Sequence, residues 1–236
     1  MAEIRDRILA LLYPPGACCI ACGALRVDDP ARALCKACLE KLVPLQPPFC
    51  PSCGQAGWAV LCPDCAAKKP DALDARAAAY PYADTGRALV RALKYGRVEA
   101  AAQTLASGML PFFPKEPIDG LVPVPLHKRR QRRRGFNQAR SLCEALSRET
   151  GVPVLDALVR HKKTKTQTRL TREGRKENVQ GAFQVKLPVD GLSLLLIDDV
   201  MTTGATAVSC AKALKEAGAA RVKLLAAARA KLYRDV

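Results

Sequence analysis

Beyond residue 70 the chain alternates short apolar runs with longer stretches in which apolar residues recur at helical spacing. Residues 77–82, 120–124, 192–197 and 222–228 are strand-length apolar runs, the second of them bounded by Pro123 and Pro125. Between them, residues 85–94, 99–110, 137–150 and 205–217 read as helices, with Leu89, Val90 and Leu93 on one apolar face and Gly151 and Gly218 as stops. Apolar strands alternating with helices predict an α/β fold, a mainly parallel sheet flanked by helices. Near the N-terminus, Ile4, Ile8, Leu11 and Leu12 fit a short amphipathic helix.

Cysteines change this picture for the first quarter of the chain. Nine of eleven lie before Ala66, and eight form Cys-x-x-Cys pairs: Cys19/Cys22, Cys35/Cys38, Cys50/Cys53 and Cys62/Cys65. Two thiolates on one tight turn fill two corners of a tetrahedron, and a second turn supplies the other two. Two structural zinc sites are the expectation; an iron–sulfur cluster, or one zinc with free thiols, are the alternatives. Spacing leaves open whether the pairs join sequentially or crosswise. Cys22-Gly23 and Cys53-Gly54 add a residue that tolerates positive φ. Composition shifts at residues 66–70, which divides the chain into a zinc-binding module, residues 1–69, and a second domain, residues 70–236.

Charge narrows the partners. The 236 residues carry a formal charge of +16, which points to a polyanionic partner or substrate. There is no apolar run long enough to span a membrane, and residues 1–15 lack the uninterrupted apolar core of a signal peptide, so a cytoplasmic protein without a membrane span is expected.

Residues 194–206 carry the most chemistry. An apolar strand leads into Asp198 and Asp199, and a turn of Thr202, Thr203, Gly204, Ala205 and Thr206 opens the next helix. Ligands of parallel sheets bind at the carboxyl ends of strands. There the helix dipole and backbone N–H groups attract a phosphate, and threonine hydroxyls add donors. Paired carboxylates suit the hydroxyls of a ribose, each of which donates a hydrogen bond. No Gly-Lys-Ser/Thr follows, so this is not a Walker loop.

This segment resembles the phosphoribosyl-pyrophosphate signature of type I phosphoribosyltransferases. The resemblance implies that Asp198 and Asp199 hold the ribose hydroxyls, that Thr202 to Thr206 cradle the 5′-phosphate, and that magnesium arrives with the pyrophosphate. Further motifs follow in order: the cysteine pairs, Leu93-Lys94-Tyr95-Gly96, Val122-Pro123-Val124-Pro125-Leu126-His127, Arg134-Gly135-Phe136-Asn137-Gln138-Ala139 and Asn178-Val179-Gln180-Gly181-Ala182-Phe183. Together they resemble the ComF (competence, GntX-like) family across nearly the whole chain. That resemblance implies a double zinc ribbon joined to a phosphoribosyltransferase-like domain.

Two basic stretches complete the inventory. Lys128, Arg129, Arg130, Arg132, Arg133 and Arg134 form a run suited to a leaving diphosphate or to a nucleic-acid backbone. Residues 160–176 read as a mobile loop, in which Gln167 and Lys176 resemble active-site loop residues of amidophosphoribosyltransferases and are the catalytic candidates. Leu170 stands where that family tends to have Arg, which weakens the case for amine transfer. Neither His127 nor His161 is expected to be a catalyst, since both lie in basic surroundings.

Three functions are compatible with these features. The first is transfer of phosphoribose from phosphoribosyl pyrophosphate to an acceptor, which needs positioning and charge stabilisation more than a protein nucleophile. The second is handling of single-stranded DNA alongside other DNA-uptake proteins, as the family name implies; with five Phe, five Tyr and one Trp the grip would be mainly on phosphates. The third is a sensor that keeps the pocket without turnover. Acceptor selectivity is expected from scattered hood residues including Tyr80, Tyr82, Lys94 and Tyr95.

Overall fold

The computed structural model describes residues 18–25, 34–67, 69–95, 99–126, 135–160 and 182–230. The helix expected near the N-terminus, the basic run from Lys128 to Arg134, and Gln167 and Lys176 lie outside these residues.

Two short helices, α1 (Lys36–Glu40) and α2 (Pro63–Ala66), belong to the cysteine-rich segment. Strand β1 (Ala75–Pro81) leads into α3 (Asp84–Tyr95) and α4 (Glu99–Met109), followed by a 3-10 turn at Leu110–Phe112. Strand β2 (Gly120–Pro123) is followed by α5 (Gln138–Thr150). Asn137 caps α5 by accepting the Ala139 N–H, and Gly151 closes it in the left-handed conformation with its N–H on Ser147 O. Two strands not anticipated from the pattern, β3 (Leu158–Arg160) and β4 (Phe183–Val185), form an antiparallel pair. Strand β5 (Ser193–Met201), helix α6 (Ala205–Glu216) and strand β6 (Arg221–Arg229) complete the described chain.

The sheet runs β1-β6-β5-β2 with every pairing parallel, so the expected helix-flanked parallel architecture holds. Its central strands are apolar on both faces because helices cover both. Leu195, Ile197, Leu225 and Ala227 pack with Leu89 and Leu93 of α3, Leu105 of α4 and Leu142 and Leu146 of α5. Leu194, Leu196, Leu224 and Ala226 pack with Cys210, Ala211 and Leu214 of α6. Burying one such leucine fully is worth about 1.5–3 kcal/mol.

Strand β5 reaches Met201, four residues beyond the apolar run that announced it. Asp198 pairs in register with Ala226 and Val200 with Ala228, so the two acids are part of the ladder. Alternation along the strand then sends Asp198 toward the α6 face and Asp199 toward the α3 face.

Candidate functional site

Each four-cysteine cluster has the same local construction. In the first, the Gly23 N–H donates to Cys19 O and the Cys19 N–H to Ala24 O, both at 2.8 Å, a knuckle that brings Cys19 and Cys22 together. Cys35 then stands at the N-cap of α1, which places Cys38 one turn along. The second cluster repeats this with Gly54 N–H on Cys50 O and Cys50 N–H on Gln55 O, again at 2.8 Å, and with Cys62 at the N-cap of α2. Pairing is therefore sequential: Cys19, Cys22, Cys35 and Cys38 converge, as do Cys50, Cys53, Cys62 and Cys65, with all four sulfurs of each set within 4.8 Å of one another.

The sulfur geometry fits zinc. A tetrahedron with Zn–S near 2.3 Å has edges of about 3.8 Å. Cys22 Sγ lies 3.7 Å from Cys35 Sγ, and Cys53 Sγ 3.7 Å from Cys62 Sγ. Burial raises the Cys19 thiol, but the amides of Cys35, Cys22 and Ala21 outweigh it and bring it down to about 6. Cys50 reaches about 6 in the same way through the amides of Cys53, Cys62 and Ser52. Burial pushes Cys38 and Cys53 up to about 12, with neighbouring cysteines adding to it. Four crowded thiols resist full ionisation unless a cation joins them. Two clusters of this kind suit two structural zinc ions, with no coordination position left for chemistry.

A cavity of about 770 Å³ opens at the carboxyl edge of the sheet. Tyr82 just past β1, Val124 just past β2, Met201 at the end of β5 and Ala230 just past β6 all line it. Asp198, Asp199 and every residue from Thr202 to Thr206 line it too, so the expected acid pair and threonine turn stand in one concave site. Gly204 is the N-cap of α6 at φ +75, a conformation that strains any residue with a Cβ. Thr203 Oγ1 accepts from the Ala205 N–H at 3.4 Å.

The two acids are not equivalent. Asp199 Oδ2 lies 3.0 Å from Lys94 Nζ of α3, which also sits over the Tyr82 ring at 6.0 Å. Asp198 Oδ1 accepts the Asp199 N–H at 2.8 Å, and burial together with the adjacent Asp199 carboxylate pushes Asp198 up to about 8. The chain thus holds a protonatable carboxyl at the strand tip, which becomes an acceptor pair once a donor-rich or cationic ligand favours ionisation.

Several lining residues were not anticipated. Arg87 and Arg91 line the cavity beside Lys94 and Tyr95, one turn apart on α3. Asn137 joins two lining segments, since its Nδ2 donates to Val124 O at 3.2 Å while its side chain caps α5. Arg160, at the end of β3, is buried in the wall with its guanidinium 5.4 Å from the Phe183 ring. Arg87 and Arg91 carry a sequence signal, four-residue spacing on a helix. Arg160 opens the basic stretch read as a mobile loop, but it is instead the last residue of β3, buried and paired in register with Phe183. Of the expected hood residues, Tyr82, Lys94 and Tyr95 line the cavity, whereas Tyr80 is buried in the core against Gly108, where a Cβ would lie 1.8 Å from its hydroxyl.

Residues 8–66 match the family model of the double zinc ribbon domain. The DNA utilization protein YhgH of Salmonella typhi is 33% identical over 228 residues, covering 91% of this chain and 97% of that protein. Competence protein ComFC of Bacillus subtilis is 32% identical over 210 residues, 84% of each chain. The chain belongs to the ComF family. A solved glutamine phosphoribosylpyrophosphate amidotransferase from B. subtilis is a looser match, 19% identical at a TM-score of 0.39 over 55% of this chain and 26% of that one. For this ComF chain the two cysteine clusters are thus zinc-ribbon sites on a helix-flanked parallel sheet. No described helix is long and apolar enough to cross a membrane.

Proposed function

We propose that this ComF protein binds phosphoribosyl pyrophosphate with magnesium at the carboxyl edge of its sheet and transfers phosphoribose to an acceptor, in the service of DNA uptake or use. The observation that carries this is the convergence of the acid pair, the threonine turn and the first turn of α6 on one cavity. In this reading Asp198 and Asp199 accept the ribose hydroxyl hydrogen bonds. Thr202, Thr203, Gly204, Ala205 and Thr206 hold the 5′-phosphate at the helix N-terminus. Magnesium, held by the diphosphate, would offset its charge when bound, and Lys94 keeps Asp199 in place. Cleavage at C1 leaves the diphosphate with the electron pair, so cations near it stabilise the transition state. Arg87 and Arg91 supply such charge in the described wall. Lys128, Arg129, Arg130, Arg132, Arg133, Arg134, Gln167 and Lys176 complete the assignment outside the described residues. The division at residues 69 and 70 and a cytoplasmic location belong to the same proposal.

A second reading, single-strand handling with the pocket kept as a sensor, is favoured by the exposed row of Arg87, Arg91 and Tyr95 along α3 and by the relatives' names. Arginines spaced along a groove with an aromatic ring suit a single-stranded backbone.

Calorimetric titration with phosphoribosyl pyrophosphate and magnesium separates these readings. Saturable heat, lost when both Asp198 and Asp199 become Asn, supports the pocket; affinity unchanged in that double variant defeats it. Pyrophosphate release with added acceptors supports transfer. Binding without release across acceptors, together with salt-sensitive binding of a single-stranded oligonucleotide, favours the second reading.

A further inference from the structure

The turn that follows β5 is a partition with a cavity on each side. Behind it lies a second cleft, of about 830 Å³, and Met201, Thr202, Thr203 and Ala205 line both. The far wall of this second cleft comes from the second cysteine site: Pro51, Ser52, Cys53, Leu61, Asp64 and Cys65. Among the described residues, none of the first cysteine site lines it.

Two arginines cross from that site to the turn. Arg229 ends β6 and pairs in register with Met201. Its Nη1 donates to Cys53 O, inside the second knuckle, and lies 4.0 Å from Met201 Sδ. Arg76 begins one residue into β1. An ideal Cβ on Gly54 would stand 2.3 Å from Arg76 O, so the knuckle lies directly on this strand's backbone. At its other end, Arg76 Nη1 occupies the space in front of Gly204, 3.2 Å from where a Cβ would be. The Arg76 side chain is only 8% exposed and is fixed by Asp71, with Nη2 at 2.6 and 2.7 Å from the two carboxylate oxygens. A buried guanidinium that donates through one nitrogen to both oxygens of a carboxylate is more closely fixed than a lysine ammonium on a free stem.

We propose that Arg229 and Arg76 are positioning residues that brace the Met201–Thr206 turn against the second zinc-ribbon site, so that the order of the turn depends on that site and not on the first. The consequence for ligand affinity rests on the sugar-phosphate reading above; the bracing itself does not.

The test uses the full zinc-loaded chain and the variants Arg229→Met, Arg229→Lys and Arg76→Met. Amide hydrogen exchange over residues 201–207 reads the turn directly, and metal analysis reads zinc. Losing one charge-assisted bond of this kind corresponds to about a tenfold change in an equilibrium. The expected result is about tenfold faster exchange at the turn in Arg229→Met with two zinc ions retained, and partial recovery in Arg229→Lys, which keeps a donor for Cys53 O. If Arg229→Met sheds zinc, Arg76→Met decides, because Arg76 meets the knuckle through its carbonyl while its guanidinium is held by Asp71. Unchanged exchange at residues 201–207 in a zinc-retaining variant overturns the bracing. Calorimetry with phosphoribosyl pyrophosphate and magnesium then reads the consequence, about tenfold weaker binding in the variant. Absence of heat in the parent chain defeats the pocket reading while leaving the exchange result to stand on its own.

Discussion

Cys19 and Cys50 open knuckles with matching hydrogen bonds, and Cys35 and Cys62 stand at matching helix N-caps, yet the surroundings of the two sites differ. The first site is absorbed into the helical core: Cys19, Leu34, Cys38 and Leu42 share one apolar cluster with Leu89 and Leu105, and the Leu45 N–H donates to Ala79 O at 2.8 Å. The second meets the domain at β1, at the turn after α4 and at the end of β6. Its Gly54 rests on the backbone of β1, Phe49 meets Phe112 edge-on at 5.8 Å, and Cys53 O accepts from Arg229. Identical metal chemistry therefore serves two ends, since what a structural zinc stabilises depends on what its knuckle touches.

The largest contrast should come from the ligands themselves. Cys22→Ser and Cys62→Ser should each reduce two bound zinc ions to one by metal analysis. Only Cys62→Ser should also abolish phosphoribosyl-pyrophosphate binding in calorimetry; Cys22→Ser should leave affinity within about threefold, a difference under 1 kcal/mol. Equal losses in both variants would erase the contrast between the sites.

Next in size is the pocket itself, which serves as the control. Replacing Asp198 and Asp199 together by Asn should weaken ligand binding by about a hundredfold or more, as expected for losing two charged acceptors. Zinc content should stay at two, because neither acid belongs to either four-cysteine cluster.

The two knuckle glycines sharpen the comparison with a matched pair. Gly23 and Gly54 share a left-handed φ, +75 and +68, but a Cβ at Gly23 meets nothing within 4 Å. Gly23→Ala should cost only the backbone strain, about 1–2 kcal/mol. Gly54→Ala adds a clash with Arg76 O and should cost about 2–4 kcal/mol. Thermal or denaturant unfolding measures both.

The smallest effect concerns the acid pair in the ligand-free chain. With its carboxyl raised to about 8 in the fold, Asp198 contributes stability that is complete below its unfolded value near 4 and is lost as pH rises through about 8. Asp198→Asn should therefore leave the melting temperature nearly unchanged at pH 4 and raise it by several degrees at pH 8.5. A gain that shrinks with rising pH would contradict the assigned direction. The site gives up stability in the empty state and recovers it when a ligand favours the ionised pair.

Much of this was legible along the chain because it is local. Four apolar runs marked the sheet, Gly151 marked the end of α5, and the acid pair before Thr202, Thr203 and Gly204 marked the edge where a ligand site belongs. Strands β3 and β4 were missed because three residues carry no usable period and the two lie far apart in sequence. Tyr80 looked like a hood residue and proved to be core, since only the tertiary fold brings Gly108 beneath its ring. The sequence by itself determined the strands of the parallel sheet and the helices between them, the four-sulfur chemistry and the acid–threonine segment, all of which depend on neighbours within a few positions. Tertiary structure alone decided that the cysteine pairs join sequentially, that Arg87, Arg91 and Arg160 face Asp198 and Asp199 across one cavity, and that Arg76 and Arg229 connect the second cysteine site to the turn. Those contacts join residues separated by up to 176 positions, and no local pattern encodes a distance closed only by packing.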